Sequence, residues 1–342
     1  MERGIYTKTE ILSQPEAWAD ALDVVEKARA ALLSLLTDEF EQVLFTGCGS
    51  TYYLSMAAAA LFQESTGKIA RGVPAGELLL NPQVVLGSGK TLLVAVSRSG
   101  STTETVRAVE QFKRQRGGRV LAITNYGDQP LAGLADLALV IEKGQEESVA
   151  QTRSFASMFV AATGLSLLAG QRVSEYQAMR GLPEVGAKLI DRYDSQARGI
   201  GEALELDRFY FLGSGARYGL ACEVSLKMKE MTLTHSEPFH FMEFRHGPMS
   251  MVTENAVVVG MVSEKNFRHE TAVLNEMQTM GGRGLSLAEA QSNVSFESGL
   301  PESARAVLYL PALQLMAFYR SLAKGLNPDR PKNLTAVVKL DL

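Results

Sequence analysis

The stretch TLLVAVSRSGSTTETVRAVEQFKRQ, residues 91–115, decides the fold. It opens with a nearly unbroken apolar run, which is typical of a strand buried on both faces of a parallel sheet. It closes with apolar residues at helical spacing among charged ones. The turn between them, SRSGSTTET (97–105), carries six hydroxyl side chains and one glycine. A strand, a polar turn and a helix in this order predict one step of an α/β fold.

The same alternation of strand-like and helical patterns continues along the chain. Further strand-like runs are QVLFTG (42–47), RVLAIT (119–124) and LALVIE (137–142). Unbroken apolar strands of this kind are covered by helices on both faces of a sheet. The pattern therefore predicts a doubly wound parallel sheet.

The pattern then recurs at a constant spacing in the second half of the chain. FYFLGSG (209–215) repeats VLFTGCG (43–49), and VVGMVS (258–263) repeats LLVAVS (92–97) at the same distance along the sequence. Self-similarity at a fixed spacing indicates a duplicated structural unit. The sequence therefore predicts an α/β protein of two tandem doubly wound, flavodoxin-like domains with parallel sheets. The second copy continues into SEKNFRHET without the dense Ser and Gly, so we expect an anion site in the first copy only.

The patterns divide the chain into four predicted segments. They are an N-terminal helical segment (1–35), a first domain (36–180), a second domain (195–326) and a C-terminal tail (327–342). A polar helical stretch around residues 170–205 joins the two domains.

Composition and charge exclude several classes of protein. The chain has 342 residues, a net charge of −4 and no basic stripe, so nucleic acid is not expected as a partner. No apolar run approaches the ~20 residues of a membrane span. The charged start MERGIYTKTE lacks the apolar core of a signal peptide. Cys48 and Cys222 lie far apart without metal-ligand spacing, so we expect small, at least partly buried thiols and a cytoplasmic location.

The hydroxyl-rich turn has two interpretations. Hydroxyls at Ser97, Ser99 and Thr102 add neutral donors to the backbone N–H groups of a helix start. Gly100 lets the backbone approach a ligand closely. The alternative is a helix start that is merely rich in capping residues. A second small-residue turn, TGCGST (46–51), follows the neighbouring strand, and two such turns at adjacent strand ends favour a phosphate site.

The second half of the chain offers acid–base groups. Glu223, Lys227 and Glu230 share one face of a predicted helix. On an isolated helix this pattern is more typical of a solvated row of salt bridges. The next segment, THSEPFHFMEFRHGPMS (234–250), is too polar for a core and too aromatic for a plain surface loop. Its HGP turn fixes His246 on a rigid backbone, where histidine suits acid–base chemistry near neutral pH.

Together these motifs resemble the SIS (sugar isomerase) family, and within it the isomerase half of glutamine–fructose-6-phosphate amidotransferases. The motifs that carry the resemblance span nearly the whole chain: TEILSQP (9–15), GCGSTYY (47–53), SRSGSTTET (97–105), SVAQTRSFA (148–156), GSGARYGLACEVSLKMKE (213–230), EFRHGPMS (243–250) and RPKNLTAVVKL (330–340). The glutaminase domain of those enzymes has no counterpart in this sequence, so we expect an isomerase without it.

The resemblance implies a sugar 6-phosphate as substrate and no cofactor. It implies that five side chains hold the phosphate: Thr51, Ser97, Arg98, Ser99 and Thr102. It implies a pocket, closed by the C-terminal tail, that is lined by Cys48, Gly49, Ser50, Val149 and Ala336. A metal site built from His235 and His240 is not expected.

The resemblance also implies roles for the acid–base residues. Glu230 matches the glutamate that moves a proton between C1 and C2, and His246 matches the histidine that assists ring opening. Lys227 matches a lysine near the sugar. Family members place the histidine in the neighbouring subunit's active site, so a homodimer is implied.

One departure from the family affects the expected reaction. The synthases carry a tail lysine that forms an imine with the ketose, and Ala336 stands at its position, flanked out of register by Lys332 and Lys339. Arg98 stands where the synthases have glutamine. Without the lysine, substrates that already carry nitrogen are favoured. The first expectation is therefore deamination of glucosamine 6-phosphate to fructose 6-phosphate and ammonia.

Three alternatives stay open. A deglycase would split a fructosamine 6-phosphate into a sugar phosphate and an amino acid with the same acid–base pair. A galactosamine-type deaminase would differ only in the stereochemistry of its substrate. A sugar-phosphate-sensing regulator would keep the hydroxyl-rich turn without needing Glu230 and His246.

Overall fold

The computed structural model describes residues 3–37 and 40–340, and contacts divide the chain into two compact units. The first unit comprises Ser13–Glu146, Arg153–Pro183 and Thr335–Leu342. The second unit comprises Met1–Leu12, Glu147–Thr152 and Glu184–Leu334.

The elements alternate along the chain as the sequence patterns predict. The strands among the described residues are β1 (Gln42–Gly47), β2 (Ile69–Pro74), β3 (Thr91–Ser97), β4 (Val120–Thr124), β5 (Leu137–Val140), β6 (Arg208–Leu212), β7 (His235–Phe239), β8 (Ala256–Met261), β9 (Arg283–Ala288) and β10 (Val294–Ser295). The α-helices are α1 (Ile5–Leu12), α2 (Gln14–Thr37), α3 (Ser50–Thr66), α4 (Ala75–Leu80), α5 (Pro82–Val85), α6 (Thr103–Arg116), α7 (Pro130–Leu134), α8 (Arg153–Ala169), α9 (Val173–Ala178), α10 (Leu182–Glu202), α11 (Ala216–Thr232), α12 (Phe241–Phe244), α13 (Phe267–Thr279) and α14 (Leu310–Ala323). Short 3₁₀ turns lie at Glu142–Gly144, Met179–Gly181, Pro248–Met251 and Ala306–Tyr309.

The first unit is built on a five-stranded parallel sheet in the order β2-β1-β3-β4-β5. Every residue of β3 is buried, because the helices that connect parallel strands cover both faces of the sheet. Leu44 and Leu93 share a core cluster with Val109 and Phe112 of α6. The order is that of flavodoxin-like doubly wound folds, so the predicted fold class is confirmed.

The second unit repeats this topology. Its parallel sheet has the order β7-β6-β8-β9-β10, which matches the first sheet strand for strand. Helices α3 and α11 both have 17 residues and begin at equivalent positions of the repeat, Ser50 and Ala216. The glycines before them, Gly49 and Gly215, have φ angles of +55° and +58°. The predicted duplication is therefore confirmed down to the backbone conformation of one turn.

The boundaries of the two units near the chain ends differ from those of the predicted segments. Residues up to Leu12 belong to the second unit, where α1 packs on α14, whereas α2 belongs to the first unit. Thr7 of α1 donates its N–H and its hydroxyl to Asp329, both at 2.8 Å, which ties the first helix to the C-terminal part of the chain. Residues from Thr335 onward belong to the first unit. The four-segment division itself stays a prediction.

One helical segment of the described residues, Ala306–Ala323, is long and apolar enough to cross a membrane by length and composition. Its mean hydropathy is 1.2 over 18 residues, and 89% of it is buried inside the protein. Burial of this extent is typical of a core helix.

Candidate functional site

The turn after β3 brings three hydroxyl groups together at the carboxyl edge of the first sheet. The Oγ atoms of Ser97 and Ser99 each lie 3.5 Å from Oγ1 of Thr102. Ser97 is buried, whereas Ser99 and Thr102 are partly exposed. Thr102 is the N-cap of α6, and its side chain makes no capping hydrogen bond within the described part of the chain. The three hydroxyls therefore converge beside the first N–H groups of a helix, an arrangement that suits an anion.

Gly100 gives this turn its shape. Its φ angle of +64° lies in the left-handed region, and its N–H donates to Oγ of Ser97 at 3.1 Å. A Cβ at this position would lie 2.8 Å from Cβ of Gln129. A side chain here would therefore strain the turn and displace the hydroxyls.

The turn after β1 lies at the neighbouring strand end, where the strand order of the sheet reverses. It carries the predicted pocket residues Cys48, Gly49 and Ser50. Oγ1 of Thr51 accepts the N–H of Cys48 and donates to the carbonyl of Cys48, both at 2.9 Å. The Thr51 hydroxyl thus holds this turn in shape, and its predicted contact with a phosphate stays a prediction.

Cys222 is buried and Cys48 is partly buried. Burial raises the pKa of Cys48, and it raises the pKa of Cys222 to about 11. Because the thiolate is the reactive form, neither residue is suited to act as a nucleophile at neutral pH.

Arg98 joins the hydroxyl-rich turn to two other segments of the first unit. Its Nη1 lies 3.7 Å from Oε2 of Glu146, whose side chain is fully buried. Its Nη2 donates to the carbonyl of Ala336 at 2.6 Å. The sequence indicated Arg98 and Ala336 but missed Glu146, because no local pattern links it to the turn.

The tail contacts the same turn at the start of α6. The N–H of Leu340 donates to Oγ1 of Thr103 at 3.1 Å, and the N–H of Thr103 reaches the carbonyl of Val338 at 3.5 Å. Ala336, which stands at the position of the synthase lysine, contributes only its backbone carbonyl to the contact with Arg98. The tail therefore lies against the predicted phosphate turn within the first unit.

In the second unit, α11 carries a buried row of charges. Lys227 is 1% exposed, and its Nζ lies 3.4 Å from Oε1 of Glu223 and 2.5 Å from Oε2 of Glu230. Glu223 is fully buried, whereas the side chain of Glu230 is 20% exposed. The shared helix face is confirmed, and the solvated row of salt bridges is wrong because two of the three groups are buried. The buried ammonium holds the Glu230 carboxylate at the edge of solvent.

His246 lies on a short, well-anchored turn of the same unit. Its N–H donates to the carbonyl of Glu243 at 2.9 Å, and Gly247 follows with a φ angle of +120°. The neighbouring Arg245 is bound to Glu276 through Nε at 2.7 Å and through Nη2 at 2.5 Å. The turn therefore presents an exposed imidazole on a fixed backbone.

The other two histidines of this segment have protein partners. The ring of His240 stacks on Tyr218 with centroids 3.8 Å apart, and burial lowers the pKa of His240. Nε2 of His235 lies 3.9 Å from Oε1 of Glu237. Among the described residues, no group of three or more His, Cys, Asp or Glu side chains is placed to hold a metal ion. These contacts favour structural roles for His235 and His240.

Two residues that the sequence analysis did not single out bind the segment that carries Val149: Asp329 through its backbone carbonyl and Glu10 through its carboxylate. The N–H of Val149 donates to the carbonyl of Asp329 at 3.0 Å. The N–H groups of Glu147 and Ser148 donate to Oε1 of Glu10, at 2.7 and 3.0 Å. Glu10 is 3% exposed, so its carboxylate is a buried anchor. The only sequence signal was the place of Glu10 in the TEILSQP motif.

Comparison with known proteins gives the family. The SIS domain family matches residues 35–167 and 205–314, which together make up more than half of the chain. The chain belongs to the SIS domain family. The two matched segments contain the two parallel sheets, so each copy of the duplicated fold is one SIS domain.

Known relatives of this SIS protein include phosphosugar enzymes. It is 30% identical over 348 residues to a glutamine–fructose-6-phosphate aminotransferase of Pyrococcus horikoshii, covering 97% of this chain and 57% of the relative. The chain therefore spans little more than half the length of that relative.

Two solved structures have similar folds. A glucosamine-6-phosphate deaminase of Thermotoga maritima superposes with a TM-score of 0.80 at 26% identity, covering 98% of this chain and all of that one. A tagatose-6-phosphate ketose/aldose isomerase of Escherichia coli gives a TM-score of 0.86 at 26% identity, covering 97% and 96%. The SIS protein thus groups with the phosphosugar isomerases of its family.

Proposed function

We propose that this SIS protein is a phosphosugar isomerase and deaminase that converts glucosamine 6-phosphate and water into fructose 6-phosphate and ammonia. The observation that carries the proposal is the ion pair of α11, in which buried Lys227 holds Glu230 where a substrate can reach it. One relative named for fructose 6-phosphate and one structure named for glucosamine 6-phosphate support the substrate class. Ala336 at the position of the imine-forming lysine favours a substrate that brings its own nitrogen.

The proposed phosphate site is the hydroxyl cluster of the first unit. Ser97, Ser99 and Thr102 supply neutral donors, and the helix start adds N–H groups and the positive end of its dipole. Arg98 forms an ion pair with the buried carboxylate of Glu146 and lies in the same turn as these hydroxyls. Binding of the remote phosphate would supply energy that fixes the reacting carbons in place.

The proposed chemistry moves one proton and then releases ammonia. His246 assists opening of the sugar ring to the free aldehyde. Glu230 then removes the proton from C2 and returns it to C1, which converts the amino aldehyde through an enolamine into an imine at C2. Water adds to the imine carbon, and cleavage of the C2–N bond leaves fructose 6-phosphate and ammonia. We further propose that His246 acts in the site of a second copy of the chain, in a homodimer.

The direct test incubates the purified protein with glucosamine 6-phosphate and measures ammonia and fructose 6-phosphate. Glu230→Gln should lower kcat by 100- to 10,000-fold, the range expected for loss of a general base, while binding of the phosphosugar changes little. The matched control is Glu64→Gln, because exposed Glu64 occupies the equivalent position of α3 in the first unit. This control should keep full activity.

Parallel incubations decide between the alternatives. Galactosamine 6-phosphate tests the stereochemistry, and fructose-lysine 6-phosphate tests the deglycase reaction. Release of lysine in place of ammonia would replace the deaminase by a deglycase. Tight binding of all these compounds without turnover would favour the regulator, and a Glu230→Gln variant with substantial activity would refute the mechanism.

A further inference from the structure

The second unit contains a turn at the same position of the repeat as the proposed phosphate turn, with a different composition and a helix that begins two residues earlier. Ser263 follows β8 as Ser97 ends β3, and the two serines occupy the same position of the repeat. The N–H of Asn266 donates to Oγ of Ser263 at 3.0 Å, just as the N–H of Gly100 donates to Oγ of Ser97 at 3.1 Å. The two turns therefore share this hydrogen bond from a backbone N–H to the serine hydroxyl. Ser263 lies at the strand end that corresponds to the proposed anion site of the first unit.

The side chain of Glu270 accepts hydrogen bonds from the donors of this second turn. Oε2 of Glu270 accepts the N–H of Ser263 at 2.6 Å and the hydroxyl of Ser263 at 3.0 Å. Glu270 is 2% exposed, so its carboxylate is enclosed. The matching residue in the first unit is Glu104, whose Oε2 makes no hydrogen bond within the described residues. Of the two turns, the second is thus the one whose serine donors bind a carboxylate of the protein itself.

A cation completes the arrangement on the opposite side of the carboxylate. Nη2 of Arg217 lies 3.5 Å from Oε1 of Glu270, and Nη1 lies 2.9 Å from Oε1 of Glu302. Arg217 stands at the position of the repeat that Thr51 holds in the first unit. A buried carboxylate is stable only when charge and hydrogen bonds compensate its lost hydration. Arg217 and the two donors of Ser263 supply much of that compensation, although burial still raises the pKa of Glu270.

We propose that the Glu270 carboxylate is a built-in substitute for an external oxyanion in the second SIS domain. It takes the donors of Ser263, and its ion pair with Arg217 closes the domain to phosphate. Each chain accordingly binds one phosphosugar, at the turn of the first unit. The statement about one substrate per chain rests on the proposed function, whereas the statement about Glu270 rests on the contacts of the second unit alone.

The test removes the carboxylate and supplies it again from solution. Glu270→Ala leaves Arg217 and Ser263 facing a gap of carboxylate size. Its unfolding temperature in chloride should fall below that of the wild type, and acetate at the same ionic strength should restore at least half of the loss. A ligand that binds only the folded state stabilises it in this way. The wild type should gain nothing comparable from acetate, because its site is already filled.

A binding count gives the second readout. Equilibrium dialysis with inorganic phosphate should find one site per wild-type chain and two per Glu270→Ala chain. Glu104→Ala, the matched change in the first unit, should add no site. Glu270→Gln, whose amide fills the same space, should show neither acetate rescue nor a second site.

Several results would overturn the proposal. One is a Glu270→Ala chain that stays unfolded at every acetate concentration, and another is one that binds phosphate only as the wild type does. Equal rescue of Glu270→Gln by acetate would show a general salt effect and would also overturn it. A wild type without any phosphate site would refute the phosphate turn of the proposed function, while acetate rescue of Glu270→Ala would still support the role of Glu270.

Discussion

Lys227 is a buried cation of the second unit. Its ammonium lies between Glu223, which is fully buried, and Glu230. Lys227→Met should lower the free energy of unfolding by about 3–5 kcal/mol, because it removes the cation that balances a buried carboxylate. Denaturant unfolding measures the loss. Adding Glu223→Gln to this variant should recover part of the stability, and a double variant no more stable than Lys227→Met would contradict this explanation.

Gly100 allows the phosphate turn to be tested without touching a donor. Gly100→Ala should raise the KM for the phosphosugar at least about tenfold, because a Cβ would lie 2.8 Å from Gln129 and a positive φ disfavours alanine. Gly117→Ala is the matched control. Gly117 has a φ of +60° but open space around a Cβ, so this change should cost about 1 kcal/mol of stability and leave KM unchanged. Equal effects of the two variants on KM would argue against a ligand at the turn.

At the scale of elements, Asp136 ties β5 to β4 at their amino ends. Desolvation raises the pKa of Asp136, but the N–H of Val120 and the guanidinium of Arg119 outweigh it and hold this pKa below its ordinary value of 3.8. A lowered pKa in the folded state adds stability above pH 3.8 that is lost as the pH falls through the folded-state value. Asp136→Asn should therefore cost about 1 kcal/mol at pH 7. The difference in unfolding free energy from the wild type should shrink below pH 3.8, and a difference independent of pH would contradict this assignment.

Elements with a strong local pattern were predictable from the sequence. The apolar runs predicted β1 with its observed bounds, Gln42–Gly47, and β3 with its observed start at Thr91, because central strands of a parallel sheet are buried on both faces. The helical spacing of Glu223, Lys227 and Glu230 also predicted α11. The pairing of α1 with the second unit was not predictable, because it depends on the hydrogen bonds between Thr7 and Asp329 across almost the whole chain.

At the scale of the whole molecule, the sequence reveals the site residues that belong to local motifs and misses those that act through long-range contacts. Hydroxyls and helical spacing marked Ser97, Thr102 and Glu230, since each belongs to a local motif. The supporting residues Glu146 and Glu270 carry no motif, because each acts on a segment that only the fold brings near. Burial also decided the character of the α11 charges, because the helical spacing alone is more typical of a solvated row of salt bridges. In a duplicated fold, repetition in the sequence thus predicts the strands and helices. The functional differences between the two copies depend on tertiary contacts that the copies do not share.

The proposed homodimer makes a prediction that belongs to the assembly. If His246 of one chain serves the site of the other, Glu230→Gln and His246→Ala chains are each inactive alone but complement each other when mixed. In a mixed dimer, one site has both wild-type groups and the other has neither. Random exchange of equal amounts makes half of the dimers mixed, so about one quarter of the wild-type kcat should return, against about 1% or less for each variant alone. Unfolding and refolding the mixture together ensures exchange, and refolding each variant alone is the control. Absence of any recovery, with mixed dimers demonstrated by a tag on one chain, would place His246 in the site of its own chain.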